Sequence, residues 1–448
     1  MSSQSAIPLV AERNAVTPPP RSKRFFPPEL NTLSDTRLPP SVVEQLLLKF
    51  LYFKGDLMGN ELAQLVGFRF SMIEDLVESF KQQQLVQVKG SRGLGPVSAN
   101  LSLTEAGRRV TRDYLEANQY IGPAPVPLSQ YAEAVAIQKL PNNWLSYERL
   151  AAAYSHLVLN DRVLDQIGPA VSSGKSFLIY GKPGNGKTYL AEALANIEMS
   201  PIWVPYALEY QGNIVQIYDP SYHKLLNTGP LPASAEVISD GRWARCRRPF
   251  IATGGELSMS MLDLSYNGVA KIYDAPFQLK ANNGIYLIDD FGRQRVTPTE
   301  ILNRWIVPME RHVDYLNFQH GGKMTVPFET FLVFSTNLTP DQLGDEAFLR
   351  RIQYKLLLHS PDHVEFRAIF VQQCEKHALA AGEALIDDFI SKYYTRPGRQ
   401  FRRCHPRDLI SLASDYIAFK RMQPTLTEDL LDYAFECCFI ASEDLTDA

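Results

Sequence analysis

FLIYGKPGNGKTYL, residues 177–190, joins two kinds of sequence. Phe177 to Tyr180 is a short apolar run of the kind a fully buried strand needs. The loop after it runs Gly181, Lys182, Pro183, Gly184, Asn185, Gly186, Lys187, Thr188, Tyr189. Within it Gly181, Gly186, Lys187 and Thr188 match the phosphate-loop spacing GxxxxGK[ST]. Each residue type has a physical reason. Glycines let the backbone wrap a phosphate chain and point its N–H groups inward. The Lys187 ammonium neutralises the β and γ phosphates, and the Thr188 hydroxyl is a ligand for Mg²⁺. A helix is predicted from Tyr189 to Ile197, as a strand–loop–helix phosphate site requires. The stretch predicts a nucleotide site for ATP and Mg²⁺, with Gly181, Pro183 to Lys187, Thr188 and Tyr189 lining it.

Two further apolar runs end in polar residues. Ile285-Tyr286-Leu287-Ile288 leads into Asp289 and Asp290. Asp289 is placed to hold Mg²⁺ through water, and Asp290 to polarise an attacking water. The alternative is an acidic turn after a core strand. Phe331 to Thr336 leads into Asn337, whose amide at the end of a central strand can orient that water.

With these three strand ends in hand, residues 145 to about 420 resemble the AAA+ ATPase superfamily. The resemblance implies an α/β P-loop domain with a parallel sheet and a helical lid, with Asn337 as sensor 1. Many members carry Glu where this chain has Asp290, which is one methylene shorter. That departure puts fast hydrolysis in doubt. "DEAFLRRI" puts Arg350 and Arg351 where the family carries an arginine finger that acts on a neighbouring subunit's nucleotide. Arg351 is the first choice and Arg350 the second; the alternative is a salt bridge to Asp345 or Glu346. "HPRDL" puts Arg407 at a helix start, the sensor 2 position of the lid, ahead of Arg402 and Arg403. A finger acting between subunits implies self-association into a ring, and hexamers are the family habit.

"APFQLKANNGIYLIDDFGR" and "HPRDL" look similar to MoxR-type ATPases, the clade with a helix-2 insert and a hairpin before sensor 1. Val313 to Phe328, with Gly321-Gly322 at its tip, is predicted to be that hairpin. Tyr266-Asn267-Gly268 is the candidate pore loop, against a plain core aromatic. A further hairpin is predicted from Trp203 to Tyr218, turning near Gln211-Gly212-Asn213. Arg242-Trp243-Ala244-Arg245-Cys246-Arg247-Arg248 is a basic cluster that could touch nucleic acid, an acidic partner or another subunit. Its alternative is a solvated basic strand.

Ahead of the ATPase the pattern changes. Residues 1–40 are Pro-rich and read as a disordered arm, with Phe25-Phe26 its one apolar spot. Residues 41–120 show three helical patterns, two short strands around Gly90 to Gly95, and a last helix after Thr104. This is a winged-helix pattern. Capping boxes are predicted at Ser41/Glu44 and Ser71/Glu74, with Thr104 capping the last helix. The would-be recognition helix carries Glu74, Asp75 and Glu78 against Lys81 alone, so phosphates would be repelled. A protein client or adaptor is therefore favoured over DNA. Residues 121–145 hold four prolines and read as a linker; residues 146–360 are the predicted ATPase core and 361–448 the lid.

Composition narrows the rest. At 448 residues the chain holds about three domains. A formal net charge of -4 gives no general grip on nucleic acid. No apolar run is long enough to span a membrane, and no signal peptide is visible, so a cytoplasmic location is expected. The five scattered cysteines fit reduced thiols, and the histidines show no metal spacing. The reading is an ATP-driven motor that remodels a protein client. Its alternatives are a nucleic-acid-linked ATPase and a slow nucleotide switch.

Overall fold

The computed structural model describes residues 25–91, 96–141, 144–226, 240–343 and 349–439. The chain is a mixed α/β protein with a parallel sheet. Its first unit runs α1 (Pro40–Lys54), β1 (Leu57–Met58), α2 (Gly59–Val66), α3 (Phe70–Gln82), β2 (Val86–Ser91), β3 (Ala99–Leu103) and α4 (Glu105–Ala117). The strands form a small antiparallel sheet in the order β1-β3-β2. Val43, Leu46, Leu47 and Phe50 fall at i, i+3, i+4 and i+7 of α1 and are buried. Thr104 caps α4 as predicted, accepting from the Gly107 N–H. The other two caps are corrected. α1 opens at Pro40 and α3 at Phe70, neither with a side-chain cap, because proline in the first turn and the packed Phe70 start these helices instead.

Two expected connectors are also corrected. Residues 25–40 are packed: Leu30, Thr36 and Leu38 are buried, and Phe25 lies 5.3 Å from Trp243 between ring centroids. Residues 1–24 of the expected arm lie outside the described residues. Within 121–145, β4 (Val126–Pro127) and α5 (Leu128–Ile137) bury Ala124, Val126, Tyr131, Ala134 and Val135. The prolines there mark a tight path between packed elements and not a free tether.

Next come α6 (Tyr147–Tyr154), α7 (Asp161–Ser173), β5 (Phe177–Tyr180), α8 (Lys187–Glu192), β6 (Ile202–Pro205), β7 (Ala207–Tyr210), β8 (Asn213–Gln216), β9 (Trp243–Cys246), β10 (Phe250–Thr253), β11 (Ser265–Asn267) and β12 (Ile272–Asp274). They are followed by α9 (Phe277–Lys280), β13 (Ile285–Ile288), α10 (Pro298–Arg311), β14 (Val313–Asn317), β15 (Lys323–Pro327), β16 (Phe331–Thr336), α11 (Pro340–Leu343) and β17 (Tyr354–Leu357). The main sheet is parallel throughout, in the order β10-β13-β16-β5-β17. Its strands alternate between two cores, since successive side chains point to opposite faces. Phe177, Ile179, Leu287 and Val333 pack with α6 and α7. Leu178, Tyr286, Ile288 and Phe334 pack with Trp305 and Ile301 of α10. β16 lies between β5 and β13, so the loop after β5 and the acids after β13 flank the end of β16.

A second sheet, β11-β12-β8-β7-β4, has strands drawn from 126 to 274. The hairpin expected over 203–218 is shorter, Ala207–Gln216; its first residues belong to β6, which pairs with β9. Four helices close the described chain: α12 (His363–Lys376), α13 (Glu383–Ile390), α14 (Cys404–Lys420) and α15 (Glu428–Cys438). They share a core of Phe366, Phe370, Phe389, Tyr394, Leu409 and Leu430.

Candidate nucleotide site

The loop after β5 makes three turns that need glycine. Gly181, Gly184 and Gly186 have φ of 148°, 78° and 84°. A Cβ on Gly181 would sit 2.5 Å from the Leu358 carbonyl oxygen, and one on Gly184 would sit 2.7 Å from Cys404 Sγ. The bare backbone is what lets this loop curl under Leu358 and the start of α14. The Cys404 N–H donates to the Gly184 carbonyl at 2.9 Å, tying the start of α14 to the loop itself. α8 begins at Lys187, two residues before the expected Tyr189, and breaks into a 3₁₀ turn over Ala193–Asn196.

Lys187, Thr188, Asp289, Asp290 and Asn337 converge at the ends of β5, β13 and β16. The Lys187 Nζ donates to Asn337 Oδ1 at 2.6 Å and to the Lys182 carbonyl at 3.0 Å. The Asn337 Nδ2 donates to Asp290 Oδ1 at 3.0 Å. The Thr188 hydroxyl donates to Asp289 Oδ2 at 2.9 Å. Burial lowers the Lys187 pKa, and the charges of Asp290 and Asp289 oppose that shift. Asp290 sits at φ 48°, in the left-handed region, which turns its carboxylate away from the strand direction. The Gln294 side chain holds this turn by donating to the carbonyls of Asp289 and Asp290.

A cavity of about 730 Å³ opens from this cluster. Pro183 to Leu190, Asp290, Asn337, Cys404 and Arg407 line it, facing His156 to Leu159 and Ile369, Gln372 and Lys376 of α12. This second wall was not foreseen from the sequence. Its signal is the apolar Leu157-Val158-Leu159 standing in a loop between α6 and α7. Arg407 lines the cavity as expected; its Nη1 donates to the Tyr189 hydroxyl at 2.8 Å, and its Nε and Nη2 to Asp408. Arg403 also lines it, but is committed to the Val158 carbonyl and Glu365. Arg402 and Lys182 both donate to Gln400.

Arg351 is not in this cavity. It precedes β17, whose first residue pairs with Phe177, so it lies at the opposite end of the sheet from the phosphate loop. There it pairs with Glu310 at 2.7 Å, and its carbonyl accepts from the Ser176 hydroxyl. Arg350 beside it is exposed. Asp345 and Glu346 lie outside the described residues.

Two other expectations change. The basic cluster is divided: Arg247 is exposed and Arg245 half-buried, while the other two arginines are used inside the fold. Arg242 is fully buried with Asp240, at 0% exposure for both side chains. Arg248 is spent on the carbonyls of Ser200, Asn283 and Gln138. Tyr266 is partly buried against Tyr273 and His320 in the β11–β12 hairpin. The tip of that hairpin is tied to the end of α4 and the residues after it: Lys271 Nζ donates to the Glu116 carbonyl, and the Gln119 N–H to the Ala270 carbonyl.

Among the described residues no cluster of three or more His, Cys, Asp or Glu could hold a metal, and no helix is long and apolar enough to cross a membrane. A family model described as a domain of unknown function (DUF8689) matches residues 362–437, from α12 into α15. No curated protein matches the chain. Among solved structures, a RuvB mutant from Thermotoga maritima is 13% identical, covering 64% of this chain and 71% of that chain at a TM-score of 0.37. NtrX from Brucella abortus is 11% identical, covering 76% of this chain and 62% of that chain at a TM-score of 0.39. Both likenesses are too distant to say what this chain does.

Proposed function

We propose that the chain is an ATP-hydrolysing AAA+ motor that works as a ring, a hexamer by the habit of that family, and that it remodels a protein client. The observation that carries the reading is the chain of contacts Lys187–Asn337–Asp290 beside Thr188–Asp289, at three adjacent parallel strand ends. The residues fit ATP and Mg²⁺. The loop is shaped by glycines where a Cβ would collide, and the hydroxyl and carboxylate that Mg²⁺ favours lie side by side. Thr188 would hold the ion directly and Asp289 through water; the bound ion neutralises charge on the β and γ phosphates. Lys187 binds the phosphates. Asn337 orients the attacking water, and Asp290 accepts a proton from it. The apolar wall of Leu157, Val158, Leu159 and Ile369 receives the base. Arg407 reads the γ-phosphate from the lid.

Arg351, which pairs with Glu310 in the isolated chain, is the residue proposed to reach across the ring. Set at the far end of the sheet from its own phosphate loop, it can serve as a finger only for a neighbouring subunit. We assign residues 41–120 as a winged helix that recruits the client. Glu74, Asp75 and Glu78 are exposed on α3, which disfavours nucleic acid, and the burial of Arg242 takes one arginine of the basic cluster out of reach of nucleic acid.

The test is Asp290→Asn. The variant retains ATP, loses turnover, and moves to a ring-sized mass in light scattering when ATP is added. Lys187→Ala loses ATP binding. Full turnover in Lys187→Ala would show that the phosphate loop is misread. A wild-type chain that binds ATP but never turns it over would leave the nucleotide switch.

A further inference from the structure

We propose that Tyr189 is the positioning residue that sets the Arg407 guanidinium against the phosphate loop, so that the lid distinguishes ATP from ADP. This rests on the nucleotide reading above. Tyr189 directly follows Thr188 in the first turn of α8, so its ring moves with the residues that hold the phosphates. It is a large aromatic left half exposed at the cavity, at 51%, where burial alone gives no reason for it. Its hydroxyl accepts from Arg407 Nη1 at 2.8 Å, and the guanidinium carbon lies 5.8 Å from the ring centroid. Asp408, the neighbour of Arg407 on α14, takes Nε and Nη2 from the other side.

The guanidinium is thus gripped from both elements that must close on a nucleotide. Asp408 fixes it to the lid and Tyr189 fixes it to the phosphate loop. Of the two, only Tyr189 carries information across the cleft. The lid backbone already meets the loop through Cys404 and Gly184, so α14 stays docked without the tyrosine hydroxyl. What the hydroxyl adds is the aim of one side chain. With Arg407 reading the last phosphate, as proposed above, loss of that aim falls on ATP more than on ADP.

The experiment is Tyr189→Phe in the full chain, which keeps the ring and its stack and removes one hydrogen bond to a charged group. Affinities for a non-hydrolysable ATP analogue and for ADP are measured by calorimetry, beside Arg407→Ala and the double variant. The expected result is a loss of about tenfold in the ATP-to-ADP affinity ratio. ADP affinity falls far less than ATP affinity, and Tyr189→Phe has no further effect on the ratio in the Arg407→Ala background. Equal weakening of both nucleotides would mean that the hydroxyl only supports the fold and would overturn the proposal. So would an unchanged ratio in Tyr189→Phe while Arg407→Ala lowers it. Failure of the wild-type chain to bind either nucleotide would instead overturn the reading of the site.

Discussion

Replacing Arg242 by methionine should unfasten the first unit from the rest of the chain. Its guanidinium donates to both oxygens of Asp240, at 2.9 and 2.8 Å. It also donates to the carbonyls of Thr36 and Pro125 and to the Gln130 side chain. Among the described residues, the Asp240 carboxylate in Arg242→Met keeps the Trp243 indole and one backbone N–H, at 3.2 and 3.1 Å. A buried charge stripped of its partner costs about 3–5 kcal/mol. At 1.4 kcal/mol per decade this is a rise of roughly a hundredfold to a few thousandfold in local opening. Native-state hydrogen exchange reads it at two amides that bridge the units: Gly241, bonded to the Gly67 carbonyl, and Ala124, bonded to that of Val66. Pairing the change with Asp240→Asn removes both charges and should restore most of the protection. Arg242→Lys should fall between, since an ammonium cannot reproduce the fork. Unchanged exchange at Gly241 and Ala124 in a folded Arg242→Met would refute the reasoning.

Two other predictions follow from the structure. Arg351→Ala should spare ATP binding and lower hydrolysis by about 10³-fold or more; mixing it with Lys187→Ala subunits should restore part of the rate, and confirmed mixed rings without recovery would sink the finger assignment. Lys49 is buried, donates to Asn118 Oδ1 at 2.8 Å, and is pushed by burial from 10.5 down to about 8. Its folded pKa lies below its unfolded one, so this group adds stability as pH rises from about 8 to 10.5 and takes it away on the way down. Lys49→Met should therefore stabilise the chain at pH 7 by about 1–3 kcal/mol and lack that slope; denaturant titrations at pH 7 and pH 10 check both.

The parts of the site that could be read in the sequence are those carried by short contiguous runs. The loop 181–188, the acids after Ile288 and the amide after Thr336 each announce themselves by an apolar strand that stops at a polar residue. The hairpin over 313–328 was legible for the same reason, since its two strands and its Gly321-Gly322 tip are neighbours in sequence. What escaped depends on distant partners. Arg242 reads as a solvent-facing base until its donors are seen to meet the carbonyl of Thr36, 206 residues away, and that of Pro125, 117 away. β4 is only two residues long and becomes a strand because β7 lies beside it. The apolar cavity wall at 157–159 has no periodicity at all. Its apolar residues acquire a purpose only where α12 folds back across them.

The seat of the β11–β12 hairpin on α4 has a mechanical meaning. α4 has 13 residues, so it is a rigid rod of about 20 Å with its far end beside the Gln84–Leu85 turn, whose carbonyls accept from Thr104. The hairpin continues through β12 and α9 into β13, whose end bears Asp289 and Asp290. A tilt of about 10° where Ala270 and Lys271 grip α4 would sweep the opposite end of that rod through roughly 3–4 Å. The strand that ends in the acids and the small sheet at the front of the chain are thus joined through the hairpin tip, which gives a displacement at one a hydrogen-bonded path to the other.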